Sequence, residues 1–144
     1  MPASSDTSQI LEKEPSEFIV PAIGAWPRFT PPLRIGIMAS GSGSNLEALH
    51  KATTQGYLDA SLRLLVVNNP NCRAKERAAR LEIPWQLIDH RLHSTRESLD
   101  HALVSAFRAA DVEAVVMAGW MRIVTPVLIA AYPGRLINLH PSLL

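Results

Sequence analysis

The sequence predicts an α/β fold, an open and mostly parallel sheet with helices on both faces, and three features carry that reading. Five strand-sized apolar runs alternate with stretches of helical period, in the order βαβαβαβαβ. The run EAVVMAG (113–119) is nearly continuous in apolar residues, as strands buried on both faces are. A glycine-rich turn, SGSGSN, stands between the first strand and the first helix, where α/β proteins place their ligands.

Each element has a local reason. RIGIMAS (34–40) is the first strand, and the glycine turn runs from it into a helix that ends near Gly56. Ser44 and Glu47 have the S-x-x-E spacing of a capping box, which sets the helix start near Asn45. SLRLLVVNN (61–69) is the second strand, RAKERAARL (73–81) a short helix and WQLID (85–89) the third strand. A long amphipathic helix begins at Ser94 or Thr95, again with S-x-x-E to Glu97. Leu99, Ala102, Leu103, Ala106 and Phe107 fall on one side of it, and Glu97, Asp100, His101 and Arg108 mostly away. The fourth strand is 113–119. Residues 125–131 form a short helix with Pro126 near its first turn, and Gly134 resets the chain into a fifth strand, 135–139, whose ladder Pro141 stops.

Composition excludes several function classes. A chain of 144 residues holds one domain, and a net charge of +1 leaves no electrostatic footprint for nucleic acid or a membrane surface. No apolar run approaches the roughly 20 residues a membrane helix needs. One cysteine, Cys72, precludes an internal disulfide framework and suits a reducing, cytoplasmic setting; at a helix start with no partner base, it reads as structural. Residues 1–32 hold six of the eleven prolines and no sustained period. They read as a disordered Pro-rich extension ahead of a domain over 33–144, with Trp26 and Phe29 the candidates for docking on it. Asp6, Glu12, Glu14 and Glu17 argue against a transit peptide.

The functional signals lie at strand ends. The turn 41–45 offers backbone N–H groups and a helix N-terminus to a phosphate or carboxylate, with glycine expected to let the ligand approach the backbone closely. Leu46 stands where a dinucleotide fingerprint needs its third glycine, Asn68 and Asn69 where it needs an acid, and no G-K-[ST] follows. At the other end of the chain, Asn138 and His140 share one face of an extended strand end. If the first strand borders the fourth, the glycine turn, the GWMRIV segment and the NLHP strand end converge on one cleft. Trp120 then reads as core, while Arg122 is either an anion ligand or an exposed loop charge. His90, His93 and His101 lack the cysteine or helix-spaced acid of a ligand set, so no metal site is expected.

RIGIMASGSGSNLEAL, VVMAGWMRIVTP and GRLINLHPSLL resemble, in order and spacing, three signatures of the phosphoribosylglycinamide formyltransferases, over 34–144. The resemblance implies their Rossmann-like fold and transfer of formyl from 10-formyltetrahydrofolate, a co-substrate, to phosphoribosylglycinamide in purine biosynthesis. Small molecules would be its partners. It places the substrate phosphate on Gly43, Ser44 and Asn45. The folate falls on Met121, Arg122, Ile123 and Val124, largely through their main chain, with Arg96 and Asn138 contributing. Asn138 and His140 are implied as the catalytic pair. The family's aspartate, which raises the histidine's pKa, lies downstream of Leu144, and none of Asp89, Asp100 or Asp111 matches it. The sequence therefore reads as the N-terminal part of a formyltransferase domain, with little transfer activity expected of these 144 residues alone. Formyltetrahydrofolate hydrolases and methionyl-tRNA formyltransferases share the fold and the asparagine–histidine pair, and a domain that only binds phosphate or folate is the non-catalytic alternative.

Overall fold

A computed structural model describes residues 25–139. Its elements are β1 (Leu33–Ala39), α1 (Ser44–Thr54), β2 (Ala60–Val67), α2 (Ala74–Arg80), β3 (Trp85–Leu87), a 3-10 turn (His90–Leu92), α3 (Arg96–Ala109), β4 (Ala114–Ala118), α4 (Pro126–Ala131) and β5 (Leu136–Leu139). The five strands are all parallel, in the order β3-β2-β1-β4-β5. The expected open parallel sheet is therefore present, with β1 bordering β4 and the winding reversing between them.

That reversal puts the two helices before it and the two after it on opposite faces. Leu46 of α1 and Ala74 and Ala78 of α2 pack with Ile35, Ile37, Leu65, Val67 and Val116. On the other face, Leu99, Leu103 and Phe107 of α3 and Leu128 of α4 pack with Met38, Val66, Val115 and Met117. Ile37, Met38, Leu65, Val66 and Val115 have no exposed surface, and each such burial is worth roughly 1.5–3 kcal/mol. The β1–β2 register slips between Ile35 and Gly36, so that Ile35 pairs with Leu62 but Gly36 with Leu64. Arg63 is the extra residue, and after it the alternation of β2 is reset by one face.

Several expectations are corrected. α1 begins after Gly43, whose backbone takes the left-handed conformation (φ 80°), and no side chain caps it. The expected Ser44–Glu47 capping box is absent because the Glu47 carboxylate pairs with Arg77 at 2.8 Å and with Arg80. α3 is capped by Thr95, whose hydroxyl accepts from Ser98 N–H, so the S-x-x-E spacing to Glu97 is not the one used. Asp100, expected on the polar side of α3, is buried. β3 stops at Leu87, and Asp89 turns instead to Arg91, which holds its carboxyl down at about 2.

Of the expected N-terminal extension, residues 1–24 lie outside the described residues. The rest meets the loop before β2. Trp26 packs edge-on against Tyr57 with ring centroids 5.6 Å apart, Arg28 Nη1 donates to Gly56 O at 2.8 Å, and Phe29 N–H donates to Asp59 Oδ2 at 2.7 Å. No helix among the described residues is long and apolar enough to cross a membrane.

At Gly36 the sheet and α3 approach closely, since a Cβ there would stand 2.6 Å from two ring atoms of Phe107. Phe107 is fully buried and cannot swing away. Gly36→Ala is expected to lower unfolding free energy by about 1–3 kcal/mol, read by urea denaturation, whereas Gly41→Ala, whose added methyl meets nothing within 4 Å, should change it little.

Candidate active site

The glycine turn leaves β1 at Ser40 and is held from one side. Gly41 O accepts from Ala74 N–H at 3.1 Å and from the Cys72 thiol at 2.9 Å. Ser42 O accepts from Arg77 Nε at 2.6 Å, and Gly43 O from Glu47 N–H at 3.2 Å. All three carbonyls are thus committed to α2 or to the first turn of α1. The N–H groups of Ser42, Gly43, Ser44 and Asn45 take no hydrogen-bond partner among the described residues. This row of donors at the start of an 11-residue helix is the arrangement that accepts an anion.

The reason for glycine at position 43 differs from the expected one. A Cβ there would lie 2.8 Å from Ala74, on the side of α2, and φ is left-handed. Gly43 serves the approach of α2 and the reversal of the backbone, rather than room for a ligand. Cys72 is buried, and burial pushes its thiol pKa up, which suits its structural part as a donor to Gly41 and not that of a nucleophile.

Two bonds join this turn to the segment after β4. Ser40 N–H donates to Gly119 O at 3.1 Å, and Met121 N–H donates to Ser40 Oγ at 2.9 Å. Met121, Arg122 and Ile123 are exposed, and the peptide groups of Arg122, Ile123 and Val124 have no hydrogen-bond partner among the described residues. Trp120 is buried in the core of the α3 face, as expected.

The far end of that segment is fastened by Asp100, which sequence reasoning placed on the wrong side. Its Oδ2 accepts from Thr125 N–H at 2.6 Å and from Thr125 Oγ1 at 2.7 Å, while Thr125 Oγ1 itself accepts from Val127 N–H to cap α4. A buried carboxylate is costly unless satisfied, and these donors satisfy it. Arg96, exposed at the first position of α3, stands one helical turn before Asp100 and so on the same side of the helix. The Asp100–Thr125 contact thereby brings the Arg96 end of α3 to the 121–125 segment. The signal for it was present but weak: an acid at the i+1 position to Leu99 reads as solvent-facing until Thr125 is placed beside it.

Asn138 lies on β5 opposite Met117 of β4, two residues before Gly119. It shares the sheet face of Met117, the α3 side, at the same carboxyl end of the sheet as the turn. His140 lies outside the described residues. The turn, the 121–124 segment, Arg96 and Asn138 are therefore brought to one end of the sheet, at its switch point. His90 and His93 are spent locally, their Nδ1 atoms 3.0 Å from Asn68 O and Ser98 Oγ. No group of three His, Cys, Asp or Glu able to hold a metal ion occurs among the described residues.

Comparisons with known proteins agree with this fold. The family described as formyl transferase matches residues 33–144. Phosphoribosylglycinamide formyltransferase of Bacillus subtilis (strain 168) is 35% identical over 111 residues, 77% of this chain and 57% of that protein. The trifunctional purine biosynthetic protein adenosine-3 of Chironomus tentans is 40% identical over 116 residues, 79% of this chain and 8% of that protein. Among solved structures, glycinamide ribonucleotide transformylase 1 from Geobacillus kaustophilus superposes with a TM-score of 0.74 at 33% identity, covering 78% of this chain and 60% of that one. Phosphoribosylglycinamide formyltransferase from Bacillus halodurans gives 0.72 at 38% identity, covering 77% and 57%. The chain thus spans less than two thirds of each.

Asp100→Ala leaves Thr125 N–H and Oγ1 buried without their acceptor and is expected to cost about 1–3 kcal/mol. Hydrogen exchange should locate the loss, with Thr125 and Val127 amides deprotected ahead of those in β1.

Proposed function

The chain belongs to the formyl transferase family, and from that premise we propose that its protein transfers the formyl group of 10-formyltetrahydrofolate to the amine of 5'-phosphoribosylglycinamide in de novo purine biosynthesis. One observation carries the reading: a turn whose N–H groups and a segment whose peptide groups have no partner among the described residues meet across the β1–β4 switch point. An anionic substrate and a flat heteroaromatic donor need those two surfaces side by side.

In this reading the substrate phosphate binds the N–H groups of Gly43, Ser44 and Asn45. The pterin of the donor lies along Met121–Val124, where exposed Met121 and Ile123 cover its faces and free peptide groups of Arg122–Val124 meet its ring heteroatoms. Arg122 and Arg96 suit the carboxylates at the donor's other end. The glycinamide nitrogen then attacks the formyl carbon, so that a C–N bond forms and charge moves onto the formyl oxygen. Asn138 donates a hydrogen bond to that oxygen, and protonated His140 stabilises it. Breaking the carbon–nitrogen bond to the folate requires a proton on the departing nitrogen, and the proton lost by the attacking amine balances it, with His140 as carrier. No metal enters the scheme, and the expected compartment is the cytoplasm.

The test is a transfer assay with the full native gene product. Incubation with formylfolate and phosphoribosylglycinamide should consume the donor and yield formylated product one for one. Donor loss that does not need the amine would mean a hydrolase, and binding of either ligand without turnover would mean a binding domain; either result overturns the proposal. Asn138→Ala is expected to lower kcat by about 10²- to 10³-fold, with a much smaller change in KM for phosphoribosylglycinamide.

A further inference from the structure

We propose that Arg77 is a positioning residue for the anion-binding turn, locking the Ser42–Gly43 peptide so that its N–H faces the ligand; this rests on the reading of the turn as the phosphate site. Across a trans peptide the carbonyl and the following N–H point in opposite directions. Because Ser42 O is turned toward α2 to meet Arg77 Nε at 2.6 Å, the Gly43 N–H points away from α2. The neighbouring peptide is held the same way through Gly41 O, but by two donors that belong to the chain's packing, Ala74 N–H and the buried Cys72 thiol. Among the described residues, the 42–43 peptide has Arg77 alone.

This peptide is the one in most need of a lock. Flipping a peptide changes ψ of the first residue and φ of the second, and glycine at the second position crosses to either sign of φ at little cost. Gly43 sits at φ 80° and ψ 20° with no side-chain cap to pin it. In the flipped state the Ser42 carbonyl oxygen would occupy the place of the Gly43 N–H, and an anion would meet a partial negative charge where it needs a donor. Arg77 is itself pinned. Its Nη1 pairs with Glu47 at 2.8 Å, and Arg77 and then Arg80 hold the Glu47 carboxyl below the usual carboxylate range. Glu47 belongs to the first turn of the helix that the glycine turn opens, so the guanidinium spans the turn from its carbonyl to its helix. Arg77 is about one third exposed and belongs to neither apolar core, which separates its part from that of a folding residue.

The distinction between a peptide lock and a merely favourable charge is testable, because Nε2 of glutamine falls at the same branch of the side chain as Nε of arginine. Arg77→Gln keeps a donor for Ser42 O and loses the cation, while Arg77→Met keeps the stem and loses both. With the full native protein, phosphoribosylglycinamide titrated by calorimetry is expected to bind about tenfold more weakly to Arg77→Met, and close to the native affinity to Arg77→Gln. Formylfolate should bind all three alike. Native affinity in Arg77→Met would overturn the proposal, and so would glutamine as weak as methionine, which would assign the effect to charge. A parallel loss of both ligands would mean general loosening and overturn it too. Failure of phosphoribosylglycinamide to shift the Gly43 and Ser44 amide signals of the native protein would instead remove the phosphate reading, and the role of Arg77 with it.

Discussion

β1 has no free edge. It is hydrogen-bonded to β2 on one side and β4 on the other, and its last residues, Ile37, Met38 and Ala39, are without exposed surface. A strand so enclosed can meet solvent only at its end, and everything the site needs follows from what leaves it there. Ser40 continues the contact beyond the strand, taking Met121 N–H on its hydroxyl and giving its own N–H to Gly119 O. Because β1 and β4 carry the chain off in opposite windings, the turn after one goes to the α2 face and the segment after the other to the α3 face, at the switch point where α/β sheets bind their ligands.

Each of the two loops is braced by a helix from its own face of the sheet. On one face, α2 holds the glycine turn through Ala74 N–H, Cys72 and Arg77, and the tight approach of Ala74 to Gly43 admits no side chain there. On the other, α3 holds the 119–125 segment through Asp100 and Thr125. In both cases the brace takes polar groups of the loop itself. Among the described residues, the N–H groups of the turn and the peptide groups of Arg122–Val124 remain without a partner once these braces are made. The two braces share no residue, so the two halves of the site can be disturbed separately.

The strand and helix order was legible because it rests on short-range physics. Apolar period, a start for α3 near Ser94 or Thr95, Pro126 in the first turn of α4 and Gly134 after it are all read within a few residues, and the structure has the corresponding elements to within two residues of the expected bounds. The parallel sheet follows from element order and the handedness of βαβ crossovers; the β1–β4 neighbourhood, on which the gathering of the turn, Arg122 and Asn138 at one end depends, entered the sequence reading only as a condition, and the strand order supplies it.

What the tertiary structure alone decided are pairings between residues far apart in the chain. Glu47 had a local partner in Ser44 but took Arg77 and Arg80, since an ion pair with two guanidiniums outcompetes a single backbone bond at a solvated helix end. Asp100 went inward because Thr125, 25 residues on, offers two donors that a helical wheel cannot see. Gly43 is glycine for the sake of Ala74, and the face of β2 flips at Arg63 because its pairing with β1 slips by one residue. Local sequence determines which backbone conformations are cheap; which polar groups then meet depends on the docking of helices across the sheet, and that is settled only when the apolar faces have packed.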